Sequence, residues 1–164
     1  MEILGILLIV IFTISIIISK KKGIKEDISE GVKYEKIETL FSKSERSLLG
    51  VLKLAIEDRA IVFGKVRVAD VIKPKKSKSR KEWQIAFNKI SSKHFDFIIC
   101  KKECLSIICA IELDDKSHES KKRKKRDDFL NKSCSSAKLP LIHIKAKDKY
   151  DINEIRKIIK EHLY

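Results

Sequence analysis

An uncharged run at the start of the chain limits the possible folds more than any other feature. Residues Ile3–Ser19 contain no charged side chain, and three consecutive lysines follow at once. This length falls at the short end of what spans a bilayer, about 17–25 residues. A secretory signal would start with basic residues and end in a small-x-small cleavage site, whereas this run follows Glu2. The pattern predicts a transmembrane signal-anchor over residues 1–19, and a buried core helix is the alternative interpretation.

The charge distribution predicts how that anchor is oriented. The chain has 37 Lys+Arg against 23 Asp+Glu, a net charge of +14. The basic cluster lies on the C-terminal side of the uncharged run, so the positive-inside rule places the rest of the chain in the cytoplasm. We therefore expect a single-pass protein of the inner (cytoplasmic) membrane, with a juxtamembrane basic tether over residues 20–41 and a cytoplasmic domain over residues 42–164. Four cysteines without CxxC spacing argue against a disulfide scaffold or a zinc ribbon.

The predicted domain alternates helical and strand patterns. The order α-β-(short α)-β-β-α-β-α predicts an α/β fold with a mixed central sheet flanked by helices. The predicted elements are a helix from Ser42, a strand over 61–72, a short helix over 82–90, strands over 95–100 and 107–114, a helix over 119–137, a strand over 139–144 and a terminal helix from Asp151.

Two local patterns make these predictions specific. Ser42 and Glu45 have the Ser-x-x-Glu spacing of a capping box at a helix start. The stretch IVFGKVRVADVI over 61–72 is rich in β-branched residues, which is typical of a strand. A period of two would place the following side chains on one face: Val62, Val66, Val68 and Ile72.

Carboxylates occur in apolar strands, where a structural core rarely places them. Asp96 lies between Phe95 and Phe97, and Glu112 and Asp114 end an apolar strand on the same face. An unpaired buried carboxylate costs several kcal/mol, so such residues are usually paired with cations or bound to metal. Carboxylate oxygens that converge at neighbouring strand ends suit Mg²⁺ or Mn²⁺. The pattern predicts a divalent metal site at Asp96 and Glu112.

Each acidic residue also has a purely structural interpretation. Glu45 shares the core-facing side of the first helix and is a candidate for the site, but it is equally well explained as the capping-box acid. Asp96 has Lys65 and Arg126 as candidate ion-pair partners. Asp114 suits the turn that follows a strand.

Several segments together resemble a known bacterial family, the domain of unknown function 2726. The resemblance covers roughly residues 42–145 and rests on these stretches: SKSERSLLGVLKLAI, FGKVRVADVI, WQIAFNKISSKHFDFIIC, CAIELDDKSH, KRDDFLNKSC and LPLIHI. That family is grouped with restriction-endonuclease-like, PD-(D/E)XK-type nucleases and is similar to very-short-patch mismatch-repair endonucleases. The resemblance implies an α-β-β-β-α-β core with a helix Glu, a strand Asp and a (D/E)-x-K tripeptide around Mg²⁺.

By position, the resemblance places the helix acid at Glu45, the strand acid at Asp96 and the tripeptide at Glu112-Leu113-Asp114. The tripeptide departs from the family pattern because Asp114 replaces its lysine. Either the missing positive charge or base comes from elsewhere, or the site does not cleave.

Three other residues are candidates to replace that lysine. His118 lies six residues after Glu112, and the mismatch-repair nucleases use histidine as a base. Lys65 and Arg126 are candidate sources of positive charge. His118 has the alternative interpretation of a solvated loop residue.

Two basic runs complete the sequence. Residues 73–81 contain six cations in nine positions, and residues 121–126 are all basic. They suit contacts with a phosphate backbone, although solvated surfaces or anionic lipid are alternatives. Trp83 follows the first run and is a candidate for base stacking. The candidate nucleic-acid contacts are Lys75, Lys76, Lys78, Arg80, Lys121, Lys122, Arg123 and Arg126.

The sequence thus favours a membrane-anchored, nuclease-like protein that hydrolyses DNA or RNA with Mg²⁺ or Mn²⁺ and needs no small-molecule cofactor. Asp96 and Glu112 would hold the metal, Glu45 and Asp114 would assist, and His118 would act as the base. The alternative is an inactive nuclease-fold module that binds nucleic acid or anionic lipid at the inner membrane surface.

Overall fold

The computed structural model describes residues 11–18, 32–77, 79–114 and 121–163. The chain divides into two compact units, residues 1–40 and residues 41–164. In the first unit, residues 11–18 are helical and exposed, and residues 32–40 form neither helix nor strand. Most of the predicted anchor (1–19) and of the basic tether (20–41) lies outside the described residues. Within the described part of the chain, no helix has both the length and the apolar character needed to cross a membrane.

The second unit is a mixed α/β fold, which confirms the predicted mixed sheet flanked by helices. Its helices and strands follow the predicted order, with one additional short helix after the first strand. In chain order they are α1 (Lys43–Ile56), β1 (Ala60–Arg67), α2 (Val68–Val71), α3 (Arg80–Ser91), β2 (His94–Lys101), β3 (Ile107–Asp114), α4 (Lys121–Ala137), β4 (Leu141–Lys145) and α5 (Ile152–Leu163).

The four strands form one mixed sheet in the order β1-β2-β3-β4. Strand β2 runs antiparallel to both β1 and β3, whereas β4 runs parallel to β3. A parallel pair needs a crossover connection, and here α4 supplies it between β3 and β4. The connection therefore brings α4 back across the sheet, next to the acidic end of β3.

Apolar side chains form two buried clusters, one for each face of the sheet. The first cluster joins α1 and α5 to the sheet, for example through Leu52, Ile99 and Ile159. The second joins α2, α3 and α4 to the sheet, for example through Ile98 and Leu130. Because neighbouring β2 residues point into different clusters, the sheet is covered by helices on both faces.

The prediction that Val62 and Val66 share one face is wrong. Val62 packs against the first cluster and Val66 packs against the second, although they are four residues apart. The reason lies between them, where Lys65 has a φ of 55°, in the left-handed region. The ladder has pairs on both sides of Lys65 and Asp96 but does not include these two residues. The strands rotate at this point, so the alternation changes face.

The predicted strand over 61–72 is also too long. Strand β1 ends at Arg67, and residues Val68–Val71 form the short helix α2. Val68 is fully buried, and its N–H donates to the Lys93 carbonyl at 2.8 Å, just before β2 begins. Packing against α3 and β2 therefore outweighs the β propensity of the valines in this segment.

Candidate active site

Two predicted acidic residues and a lysine meet at the point where the strands rotate. The Lys65 ammonium contacts Glu45 Oε1 and lies 3.4 Å from Asp96 Oδ1. We call Glu45, Lys65 and Asp96 the acid–lysine cluster. Its members come from α1, β1 and β2, so only the tertiary fold brings them together. Among the alternatives for Asp96, the structure selects Lys65 as the ion-pair partner.

Helix capping fixes the position of Glu45. The Glu45 N–H donates to Ser42 Oγ at 3.2 Å, and the Ser42 N–H donates to Glu45 Oε2 at 2.7 Å. The predicted capping box is thereby confirmed. One carboxylate oxygen caps the helix while the other contacts Lys65, so Glu45 has the structural role and also belongs to the cluster.

Close packing holds the start of α1 against the sheet. The Phe41 ring stacks on the Phe97 ring with 5.7 Å between the centroids, and it covers Gly64. A Cβ atom at Gly64 would overlap with that ring. Because Phe41 directly precedes the Ser42 cap, this contact also positions Glu45.

Lys65 contacts the acids from a strained backbone conformation, with its φ in the left-handed region. A non-glycine residue in the left-handed region costs on the order of 1–3 kcal/mol and persists only where the surroundings impose it. Here the Lys65 ammonium contacts two carboxylates that compensate for this cost. Such strain is often found at functional sites.

Asp96 connects the two strands that flank β2. Its Oδ1 atom faces Lys65 of β1, and its Oδ2 atom accepts a hydrogen bond from the Leu113 N–H of β3 at 2.9 Å. The ladder between β2 and β3 reaches Phe97 and Ile111 and does not include the next pair. The Asp96 carboxylate thus satisfies a backbone donor that the ladder leaves free.

Glu112 is buried and incompletely satisfied. It is 7% exposed, and its Oε2 atom lies 3.5 Å from the Arg126 guanidinium, the contact that defines its ion pair. Its Oε1 atom is buried without a hydrogen-bond partner among the described residues. Burial, together with the nearby charge of Asp96, raises the pKa of Glu112 to about 8. The 3.5 Å contact with Arg126 does not offset these two effects.

In the acid–lysine cluster, contacts between the members outweigh the effect of burial on the pKa of Glu45 and Lys65, unlike at Glu112. Burial alone would raise the pKa of Glu45, but hydrogen bonds from Lys65 and Ser42 outweigh it and lower the pKa. Burial opposes the charge of Lys65, yet both acids raise the pKa of its ammonium. For Asp96, burial dominates over the Leu113 and Lys65 contacts and raises the pKa.

Asp114 contacts a different set of residues. Its Oδ1 atom lies 3.2 Å from His143 Nδ1, and His143 Nε2 lies 2.9 Å from Asn131 Oδ1. His143 pairs with Glu112 in the parallel ladder, which places a histidine at the acidic end of the sheet. The sequence prediction missed His143, because only the register of β4 against β3 reveals its proximity. His118, the predicted base, lies outside the described residues.

The candidate nucleic-acid contacts are only partly described. Lys75, Lys76 and Arg80 are exposed near the start of α3, whereas Lys78 and the side chains of residues 121–123 lie outside the described set. Arg126 is exposed and reaches Glu112. Trp83 stacks on Phe87 at 5.1 Å and donates to the Pro74 carbonyl at 3.2 Å, so one of its ring faces is already covered.

The fold and the site define a mixed α/β protein with an acid–lysine cluster next to a buried, unsatisfied carboxyl group. The chain belongs to the family described as protein of unknown function (DUF2726), which matches residues 37–163. This match confirms the family resemblance of residues 42–145 and extends it at both ends. Comparison of the chain with curated proteins and with solved structures finds no match.

Proposed function

We propose that the protein is a restriction-endonuclease-like nuclease that hydrolyses phosphodiester bonds in DNA or RNA with Mg²⁺ or Mn²⁺. Its N-terminal segment (1–19) anchors it in the inner membrane, with the α/β unit in the cytoplasm. The observation that carries this proposal is Glu112, whose Oε1 atom is buried without a hydrogen-bond partner in the described part of the chain and which lies near the charge of Asp96. A buried carboxylate without a partner is costly, and a bound cation is one of the few ways to satisfy it.

The available donors suit a hard cation. Asp96 and Glu112 contribute carboxylate oxygens, the ligand type that Mg²⁺ and Mn²⁺ prefer. Within the described residues, no group of three or more His, Cys, Asp or Glu side chains is arranged to hold an ion. Mg²⁺ commonly binds through one or two carboxylates and keeps several waters, so two acids suffice. A bound Mg²⁺ would polarise the phosphodiester group.

Lys65 would replace the lysine that the tripeptide lacks. Its ammonium lies beside Asp96 and carries positive charge into the site from β1. A fixed cation next to the reacting phosphate stabilises the negative charge that develops during hydrolysis. Arg126 supplies a second cation beside Glu112. Asp114 contacts His143 of β4, and the role of His118 as a base remains a prediction.

The fold supports the same function. The resemblance implies an α-β-β-β-α-β core, and α1, the four strands and α4 follow that order once the inserted helices α2 and α3 are set aside. The acidic residues lie on α1, β2 and β3, the elements on which that nuclease superfamily carries its helix Glu, strand Asp and tripeptide.

Cleavage assays with the full chain test this proposal. Plasmid DNA, single-stranded DNA and RNA are incubated with Mg²⁺ or Mn²⁺, and metal binding is measured by calorimetry. We expect metal-dependent cleavage that falls by a factor of about 100 or more in Asp96→Ala, Glu112→Gln and Lys65→Met. Glu161→Gln removes an exposed acid on α5 and should cleave normally. Cleavage that persists in Glu112→Gln would refute the assigned site.

A binding module without cleavage is the second candidate. The observation that favours it is the existing neutralisation of the site, because Lys65 and Arg126 already contact the acids. Such a module would bind nucleic acid with an affinity that falls steeply with salt but would leave it intact. Salt-dependent binding without cleavage in any metal would favour this candidate, whereas binding to anionic vesicles alone would favour the lipid alternative.

A further inference from the structure

A groove separates α3 from α4 on the face of the sheet that carries the second apolar cluster. Its volume is about 510 Å³, and its apolar side chains include Ile72, Ile85, Ile90 and Phe129. Pockets of about 300–1,000 Å³ that are mostly apolar and have a few charged groups are typical of small-molecule sites. Ile85 is 49% exposed, so apolar surface is open to solvent here.

Four lysines line the same groove. Lys73, Lys75, Lys89 and Lys132 are exposed, and no carboxylate of the described residues forms a salt bridge with any of them. Glu82 is the acid among the lining residues, and its Oε2 atom already accepts a hydrogen bond from Ser77 Oγ at 2.7 Å. The charge along the groove is therefore strongly positive and favours an anionic ligand.

The apolar surface favours an aliphatic chain over a nucleic-acid base. Bases stack on flat aromatic or guanidinium groups, and a site that reads them needs polar groups for their edges. Phe129 is the aromatic residue in the lining, and the Lys93 ammonium already lies 5.3 Å from its ring centroid. The Ser133 hydroxyl donates to the Phe129 carbonyl at 2.8 Å and so is already engaged. Isoleucine and alanine side chains provide most of the remaining apolar surface.

We propose that this groove binds a single-chain anionic amphiphile, free in solution, with a carboxylate or phosphate head and an alkyl tail. The anionic head lies among the four lysines, whose positive charge attracts it. The alkyl tail lies along the isoleucines, which shield the tail from water. Each methylene that leaves water favours binding, so affinity should increase up to about fourfold for each methylene added to the tail. This proposal does not depend on the proposed metal site, because it involves neither the acid–lysine cluster nor Glu112, although Lys75 is also a candidate nucleic-acid contact.

Photolabelling of the full chain tests the proposal. A diazirine-bearing dodecanoate is used below its micelle concentration, and labelled peptides are mapped by mass spectrometry. We expect labels on α3 and α4, competition by dodecyl phosphate, and weak competition by dodecyltrimethylammonium, which has the same tail and the opposite charge. Labels spread over the surface, or equal competition by the cationic amphiphile, would overturn the proposal.

Two pairs of matched variants separate the groove from general surface effects. Ser136→Trp fills the groove and should abolish labelling, whereas Ser135→Trp places the same ring on the neighbouring, non-lining position of α4. Lys89→Glu with Lys132→Glu should weaken labelling about tenfold or more. Lys81→Glu with Lys124→Glu, on the same helices and with the same change in net charge, should leave it unchanged.

Equal losses of labelling in the two members of either pair would overturn the proposal. For the lysine pair they would show attraction to the overall charge of the protein, and for the tryptophan pair an effect of the added ring that does not depend on the groove. Competition by a short single-stranded oligonucleotide as strong as that by dodecyl phosphate would also overturn it and would assign the groove to nucleic acid instead. Circular dichroism of each variant confirms that the helices are retained.

Discussion

Asp96 and Glu112 are acids in two neighbouring apolar strands, yet their surroundings differ. Both oxygens of Asp96 have protein partners, the Lys65 ammonium and the Leu113 N–H. Glu112 has a distant contact with Arg126 on one oxygen and no partner for the other among the described residues. The Asp96 carboxylate therefore helps to hold the strands together, whereas the buried Glu112 carboxyl group is left partly unsatisfied at a cost in stability. Two acids with the same sequence signal can thus differ in how far the fold satisfies their oxygens.

Replacing Glu112 should give the largest effect on stability, and the effect should depend on pH. The ordinary pKa of this group is 4.5, and in the folded protein it is raised to about 8, by burial first and then by Asp96. Between these values the folded state holds a proton that the unfolded state releases. The stabilising contribution is complete below pH 4.5 and is lost as pH rises to about 8. Arg126 opposes this shift, and Asp127 and Asp114 add to it.

We therefore expect Glu112→Gln to be more stable than the parent protein at pH 9, with a free energy of unfolding that is higher by roughly 2–4 kcal/mol. At pH 4 the two proteins should be nearly equal, because Glu112 is then protonated. Urea unfolding at several pH values without divalent metal measures this difference. An equal gain at pH 4 and pH 9 would contradict the ionisation argument.

Asp96→Ala should show the opposite behaviour and destabilise the protein by about 2–3 kcal/mol, because it leaves a backbone donor and part of the Lys65 charge unsatisfied. Asp114→Ala is the matched control, since Asp114 lies in the same region but is partly exposed. We expect the control to change the free energy of unfolding by less than about 0.5 kcal/mol. Equal losses of unfolding free energy in the two variants would contradict the structural role assigned to the Asp96 carboxylate.

Gly64→Ala should cost about 1–2 kcal/mol, because the new Cβ atom would overlap with the Phe41 ring. The double variant with Phe41→Leu tests the cause. If the ring is responsible, the two costs should be less than additive by about 0.5 kcal/mol or more. Strictly additive costs in urea unfolding would show that the glycine is required for another reason.

Ser42→Ala should give the smallest effect, a loss of about 1 kcal/mol, because it removes one hydrogen bond of the capping box. Ser44→Ala, at the second residue of α1, is the control for a general change in the helix. Thermal unfolding followed by circular dichroism distinguishes the two variants. A control as unstable as Ser42→Ala would place the effect in helix propensity instead of the cap.

Much of the fold was predictable from the sequence because its signals are local. The capping box at Ser42 and the apolar runs of β2 and β3 depend on neighbours within a few residues. The wrong predictions occur where contacts between residues distant in the sequence determine the local structure. The left-handed backbone at Lys65 and the short helix after Arg67 depend on packing against β2 and α3, which no local pattern encodes.

The candidate site follows the same rule. Asp96 and Glu112 were predictable as acids in apolar strands, and the charge of Lys65 was a plausible partner for Asp96. The assignment of Arg126 to Glu112 and the presence of His143 at the same end of the sheet required the strand register. No alternation pattern shows which strand end faces which helix.

The backbone irregularity at Lys65 also has a consequence for association between molecules. Strand β1 lies at the edge of the described sheet, and edge strands with regular, unpaired backbone groups promote edge-to-edge aggregation. A left-handed residue in the middle of β1 interrupts the flat row of donors and acceptors that an incoming strand would need. A lysine there adds the charge that natural sheets commonly use to block such pairing. We therefore expect the residue that brings a cation to the acids to disfavour pairing of this edge with other chains as well.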